Sequence, residues 1–226
     1  MIDELGYDID KRWQVKRDSV YNLQNNIERL KRTVRADLYS SDEKAQLTAL
    51  IIRIMINTSE RVGNSESAKN GHFGVTHFRK KHVKVIGNAI HLNYIGKSGV
   101  DHGKSFSDEA SAQLLKKLIE RNRGYLFITE SGFQIKPDKI NRYLKRFGIK
   151  SKDLRGFNAN RMMSMELSKY GYLKEEKDRK KIFNESLRKV AKKIGHGPTT
   201  LRKQYLLPEI EEQFYSKGKL KKGMLL

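Results

Sequence analysis

Ile194-Gly195-His196-Gly197-Pro198-Thr199-Thr200-Leu201-Arg202-Lys203-Gln204-Tyr205-Leu206-Leu207-Pro208 is the stretch around which this chain is organised. A histidine stands nine residues before a tyrosine, and the segment between them is basic and hydroxyl-bearing. A lone tyrosine of this kind is ordinarily a half-buried ring on a short helix. Tyr205 differs in its setting, because an arginine, a lysine and a second arginine stand upstream in distinctive contexts, at Arg61, Lys97 and Arg155. The combination marks Tyr205 as a candidate nucleophile.

Lys and Arg total 47 against 26 Asp and Glu, a formal net charge of +21. Such a charge favours a polyanionic partner, nucleic acid first and an acidic membrane surface second. There is no cysteine, which excludes a disulfide framework, a thiol nucleophile and a Cys-based zinc site. Met1-Ile2-Asp3-Glu4-Leu5-Gly6 lacks the basic-then-apolar pattern of a signal peptide. No apolar run approaches the roughly 20 residues that a membrane-spanning helix needs. The expectation is a soluble intracellular protein of 226 residues, long enough for one good-sized core.

Residues 1–18, with the only tryptophan at Trp13, read as an arm. Val20, Leu23, Ile27, Leu30 and Val34 recur at helical spacing, and Ser40-Ser41-Asp42-Glu43 reads as the start of a second helix carrying Leu47, Leu50, Ile51, Ile54 and Met55. Phe78-Arg79-Lys80-Lys81-His82-Val83-Lys84-Val85 alternates like a strand; Gly87-Asn88 turns the chain, and Ala89 to Ile95 reads as the partner strand. Gly96-Lys97-Ser98-Gly99 turns it again, with a third strand expected after His102. Helical patterning returns at Leu114, Leu115, Leu118 and Ile119, then after Pro137-Asp138, and at about 152–170, 177–194, 198–206 and 208–216. The expected architecture is α+β, mainly α-helical, with one small antiparallel sheet. No proline marks a linker, so the expected organisation is an arm (1–18), one catalytic domain (19–215) and a loose basic tail (216–226).

Transesterification at a phosphate requires a nucleophile, cations for the charge developing on the non-bridging oxygens, and an acid for the leaving 5′ oxygen. Tyrosine is a poor nucleophile at its usual pKa of about 10, so its surroundings should be strongly electropositive or supply a base. The planar guanidinium fork suits two phosphate oxygens at once. A lysine on a sheet turn can reach a groove and donate a proton if neighbouring cations lower its pKa. Arg61, Lys97, Arg155, His196 and Tyr205 are the candidates. Singly, each has a plainer reading as solvated surface or as a turn residue.

Together these residues resemble the catalytic domain of type IB DNA topoisomerases of the poxviral and bacterial kind, within the wider group that includes the tyrosine recombinases. The resemblance runs from about residue 45 to 215. Arg61-Val62-Gly63-Asn64 resembles the first arginine motif, and Gly74-Val75-Thr76-His77-Phe78-Arg79-Lys80-Lys81-His82-Val83 the strand that follows it. Gly96-Lys97-Ser98-Gly99 resembles the hairpin that presents the catalytic lysine. Ile140-Asn141-Arg142-Tyr143-Leu144 followed by Lys152-Asp153-Leu154-Arg155 resembles the second arginine motif, and His196 with Tyr205 the closing pair.

The resemblance implies that Tyr205 becomes joined to the 3′ phosphate of a nicked strand. Arg61, Arg155 and His196 contact the scissile phosphate, while Lys97, with Lys152 assisting, protonates the 5′ oxygen. It also implies a reaction without ATP, metal or other cofactor, on duplex DNA, by a monomer. The location implied is DNA-associated, in the cytoplasm or nucleoid, or in a virion for a viral source. Arg79, Lys80, Lys81, His82, Arg202 and Lys203 are the expected DNA contacts. Lys152, three residues before Arg155, favours the topoisomerase branch, because recombinases usually carry histidine there. Site-specific recombination is the second reading, and a catalytically idle DNA-binding protein the third. The family's N-terminal clamp domain has little room here, since the pattern begins so early; the expectation is an excised catalytic fragment or a minimal enzyme. Asn158 and Asn160 have no role in the resemblance and read as helix residues.

Overall fold

The computed structural model describes residues 9–220. Its architecture is mainly helical α+β with a three-stranded antiparallel sheet. The chain divides into two compact units: Asn26–Lys152 forms one, and the segments on either side of it form the other. Among the described residues no helix is long and apolar enough to cross a membrane.

Helix α1 (Ile9–Asp37) starts within the stretch expected to be an arm. Residues 1–8 and 221–226, parts of the expected arm and tail, lie outside the described residues. In the Asn26–Lys152 unit, Leu30, Val34 and Leu38 are buried at helical spacing. Asp42 caps α2 (Glu43–Thr58) by accepting the Lys44 N–H at 2.9 Å. Helix α2 is buried on nearly every side, from Leu47 to Ile52 and again at Ile54 and Met55. It packs against the last strand, the two helices after it and the turn Val75–His77. A buried helix of this kind needs no polar face, which suits its apolar run Leu50-Ile51-Ile52.

A short helix α3 (Ser65–Lys69) leads to the sheet of β1 (Val83–Ile86), β2 (Ala89–Ile95) and β3 (Asp101–Ser107), in the order β1-β2-β3. Val83 pairs with Leu92, and Tyr94 with His102. Ile90, Leu92 and Tyr94 are buried along β2, so its period-two alternation is the expected one-sided strand. Helix α4 (Glu109–Arg121) is capped by Asp108, which accepts the Ser111 N–H at 2.9 Å and also holds the Arg53 guanidinium. Helix α5 (Pro137–Lys145) begins with proline in its first turn.

The expected strand over Phe78–Val85 is only half realised. Val75–His77 and Lys80–His82 are 3-10 turns, Arg79 makes one isolated antiparallel bridge to Tyr125, and the strand begins at Val83. The cause is His82, 5% exposed. It closes the turn twice: its N–H donates to the Arg79 carbonyl at 2.9 Å, and its Nδ1 accepts the Arg79 N–H at 3.1 Å. Phe73 and Phe78 pack on the imidazole at ring-centroid distances of 4.3 and 6.0 Å.

The other unit contains the rest of α6 (Ser151–Leu167), then α7 (Glu176–Ile194), α8 (Pro198–Gln204) and α9 (Pro208–Lys217). Phe183, Leu187, Val190 and Ile194 form the buried stripe of α7, which packs on α8 and α9. Phe183 meets Tyr215 at 5.1 Å between ring centroids. Arg17 of α1 is ion-paired with Glu209.

Burial, with Lys81 and Arg79 close by, pushes His82 down to about 4. The neutral ring is therefore preferred by the folded chain. Its contribution to stability is complete above the ordinary histidine pKa of about 6.5 and is lost as pH falls toward 4. Thermal denaturation across that window should show a falling midpoint, and His82→Asn, which keeps an acceptor near Nδ1, should flatten the fall. An unchanged slope in the variant would remove His82 as its source.

Candidate catalytic residues

In the α6–α9 unit, a helix end organises three of the candidates. Gly195 adopts φ +76° just beyond α7, and its N–H donates to the Lys192 carbonyl at 3.2 Å. The N–H of His196 reaches back to the Ala191 carbonyl at 2.9 Å, completing a Schellman ending. Glycine is favoured at such a position because a Cβ crowds the left-handed backbone. His196 is thus set in place by its backbone before its ring makes any contact.

Arg155 lies in α6 and is 3% exposed. Its Nη2 donates to the carbonyl of Ile194, the last residue of α7, at 2.5 Å, and its Nε–H donates to His196 Nε2 at 3.3 Å. The carbonyls at a helix C-terminus favour a cation. Accepting from Arg155 requires a lone pair on Nε2, which assigns His196 the Nδ1–H tautomer in this arrangement.

Tyr205 follows the last residue of α8, and its ring lies 4.9 Å from that of His196 between centroids. The N–H groups of Tyr205 and Leu206 both donate to the Leu201 carbonyl at 3.0 Å, while Leu206 and Leu207 are buried. Asn160, fully buried in α6, grips the same segment. Its Nδ2 donates to the Tyr205 carbonyl at 2.8 Å, and its Oδ1 accepts the Leu207 N–H at 2.7 Å. Nδ2 also donates to the Gly156 carbonyl at 2.8 Å. Sequence reading missed this residue. Its one signal is an asparagine in a run buried without a break from Leu154 to Asn160, where a polar amide must find partners.

In the Asn26–Lys152 unit, Ser59 ends α2 in the left-handed region at φ +60°, and Glu60 and Arg61 follow. The Arg61 and Val62 carbonyls accept the N–H groups of Val75 and Thr76 at 2.9 and 3.0 Å. Gly63 and Gly74 approach so closely that a Cβ on Gly74 would stand 2.4 Å from the Gly63 Cα. The backbone at Arg61 is consequently fixed by direct contact with the segment after α3. Lys97 is exposed on the turn between β2 and β3, where the Gly96 N–H donates to the Val100 carbonyl at 2.7 Å. Lys152 is exposed in the first turn of α6.

Glu60 is 2% exposed. Burial alone would raise its pKa, but the hydrogen bond from His102 and the charge of Lys104 outweigh that effect and hold it at about 2. Among the expected DNA contacts, Arg79, Lys80, Lys81 and Lys203 are exposed. The Arg79 guanidinium lies over the rings of Tyr125 and Phe73, at 5.1 and 5.7 Å. Arg202 is also exposed but paired with Glu211, its Nε 2.8 Å from Oε2. His82 is buried beneath the run that it closes.

Two substitutions probe how Tyr205 and His196 are held. Asn160→Ala leaves the buried Leu207 N–H without its acceptor and should cost about 1–3 kcal/mol, read from urea denaturation. Gly195→Ala should cost about 1–2 kcal/mol, because the left-handed backbone then carries a Cβ. A loss below about 0.5 kcal/mol, the range of neutral surface changes, would contradict either account.

The family described as "Eukaryotic DNA topoisomerase I, catalytic core" matches residues 10–222. The chain is 25% identical over 206 residues to a DNA topoisomerase 1B of Acanthamoeba polyphaga mimivirus, covering 83% of this chain and 61% of that protein. It is 23% identical over 156 residues to the DNA topoisomerase 1B of vaccinia virus strain Copenhagen, covering 66% and 48%. The chain therefore spans about half to three-fifths of the length of these relatives. A solved structure of the XerH site-specific recombinase bound to its palindromic difH substrate shares the fold. The TM-score is 0.53 at 17% identity, covering 85% of this chain and 52% of that one. By the match over nearly all of its described residues, the chain belongs to the DNA topoisomerase I catalytic-core family, within the topoisomerase IB and tyrosine-recombinase superfamily.

Proposed function

We propose that this chain nicks and reseals one strand of duplex DNA through Tyr205 and so relaxes supercoils, acting as a type IB topoisomerase. The observation that carries this reading is the joint anchoring of Arg155, His196 and Tyr205. The cation is held at a helix end, the histidine accepts from it, and the tyrosine ring sits beside the histidine.

The proposed cycle is a reversible transesterification. The Tyr205 Oη gives its proton to solvent water and forms a bond to phosphorus, while the bond from phosphorus to the 5′ oxygen breaks. Arg61, Arg155 and His196 take the charge that develops on the non-bridging oxygens. Lys97, assisted by Lys152, gives the 5′ oxygen its proton, leaving a 3′ phosphotyrosine and a free 5′ hydroxyl. The free end rotates, and the 5′ hydroxyl then attacks the phosphotyrosine to restore both original bonds. One phosphoester is exchanged for another at each step, so ATP is not consumed, and the guanidinium groups supply charge without a metal. Arg79, Lys80, Lys81, Arg202 and Lys203 are the proposed phosphate contacts of a monomer at its DNA, with His82 supporting the run from inside.

Relaxation of a supercoiled plasmid in EDTA without ATP is the expected result, with a covalent protein–DNA band in denaturing gels. Both should be absent in Tyr205→Phe. Arg155→Ala should slow cleavage by about 10²–10³-fold, as loss of an oxyanion donor does. Near-parental cleavage by Tyr205→Phe or Arg155→Ala would sink the assignment. Covalent adducts without relaxation, together with joining of two duplexes at a defined site, would establish recombination instead. DNA binding without any adduct would identify an idle binder.

A further inference from the structure

Four polar side chains of the Asn26–Lys152 unit are gathered between Arg61 and Lys97 in the fold. Glu60, Tyr94 and His102 are each buried, and Lys104 is nearly so. The Glu60 carboxylate accepts from Tyr94 Oη, from His102 Nδ1 at 3.1 Å and from Lys104 Nζ at 2.8 Å. Lys104 Nζ also donates to the Thr58 carbonyl at 2.8 Å. The imidazole of His102 stacks on Tyr94, its cross-strand partner, at 4.9 Å and 17°.

The other edge of that imidazole faces the Lys97 turn. His102 Nε2 has no hydrogen-bond partner among the described residues. It lies so near Gly96 that a Cβ there would stand 2.6 Å away. One end of the cluster is therefore bonded in sequence to Arg61, and the other end seats the residue before Lys97. Backbone bonds run the same course: Val75 N–H donates to the Arg61 carbonyl at 2.9 Å, and Phe73 N–H to the Ile95 carbonyl at 2.8 Å.

Stability alone does not account for this arrangement. A buried ion pair regains little more than its dehydration cost, and apolar residues of similar volume often serve stability as well or better. Directional bonds instead fix positions, which matters where a proton must be delivered over about 3 Å.

We propose that Glu60 and His102 are positioning residues that hold the Lys97 turn in place against the segment after α2, so that Lys97 can deliver its proton during strand cleavage. This rests on the reading of Lys97 given above. Glu60 fixes the His102 ring through Nδ1, and the ring in turn supports Gly96, so that the turn presents Lys97 to the leaving oxygen. Neither residue touches DNA in this scheme.

The test compares two duplex substrates at a cleavage position mapped with the parent protein. One has the natural 5′ bridging oxygen, and the other has sulfur in its place. A thiolate leaves without being protonated, so a defect in proton delivery disappears on the sulfur substrate, whereas general damage to the fold does not. Glu60→Gln and His102→Phe should cleave the oxygen substrate on the order of 10²-fold more slowly, as for a misplaced catalytic group. Like Lys97→Ala, both should approach the parent rate on the sulfur substrate, with DNA affinity unchanged. Rescue of Lys97→Ala but not of these two variants, or parental rates for both on oxygen, would overturn the positioning proposal alone. Failure to rescue Lys97→Ala would overturn the acid assignment and the proposal with it. Should Glu60→Gln not fold, His102→Phe, which keeps a ring against Tyr94, decides the matter by itself.

Discussion

A guanidinium taken out of water needs acceptors for its N–H groups, and its charge needs a compensating field. Arg155 meets that demand at the end of α7, where the Ile194 carbonyl accepts one N–H and His196 another. Much of the surrounding structure follows from this requirement. Helix α7 must stop at Ile194 for its carbonyl to be available, and Gly195 makes the stop by entering the left-handed region. That turn delivers His196, whose ring lies beside Tyr205. Asn160, on the same helix as Arg155, then secures the backbone on both sides of the tyrosine. Helix α6 is thus less an amphipathic packing element than a carrier of buried polar groups, among which Arg155, Asn160 and Glu166 are matched to partners.

The Asn26–Lys152 unit meets the opposite demand, the burial of an anion. Glu60 is ionised within it because Tyr94, His102 and Lys104 converge on its two oxygens. The contacts come from β2 and β3, while the residue itself follows α2, so sheet and helix must be mutually placed before the carboxylate is satisfied. A hydrophobic contact tolerates sliding; three hydrogen bonds to one carboxylate do not. The close approach of Gly63 and Gly74 has a similar character, since it leaves no space for any side chain larger than hydrogen at Gly74.

Much of this was legible in the sequence because it rests on local signals. The strand Ala89–Ile95 declares itself by alternation after a Gly-Asn turn, and α7, α8 and α9 by periodicity with glycine or proline at their ends. The spacing from Lys152 to Arg155 and from His196 to Tyr205 also survives intact as helix and turn geometry. What escaped reading depends on partners distant in the chain. Phe78–His82 alternates as a strand would, yet His82 turns inward to rings that sequence order does not reveal. Asn160 gains its significance only from a segment 45 residues away, and Glu60 from one 42 residues away. The boundaries of the two compact units fall inside α1 and α6, where no linker composition marks them.

The pairing of Arg202 with Glu211 bears on how this protein's charge should be counted. A lysine or arginine that meets a phosphate ordinarily frees condensed cations from the DNA, and that release is what makes binding weaken with added salt. Arg202 already carries an anion supplied by its own chain. A phosphate reaching it would displace a tethered carboxylate rather than a mobile ion, and the freed carboxylate would itself lie near the DNA, drawing cations back. Such a contact would leave little trace in a salt titration. The count of 47 lysines and arginines therefore overstates the number of counterions that binding could release, and contact counts drawn from salt dependence would miss positions wired in this way.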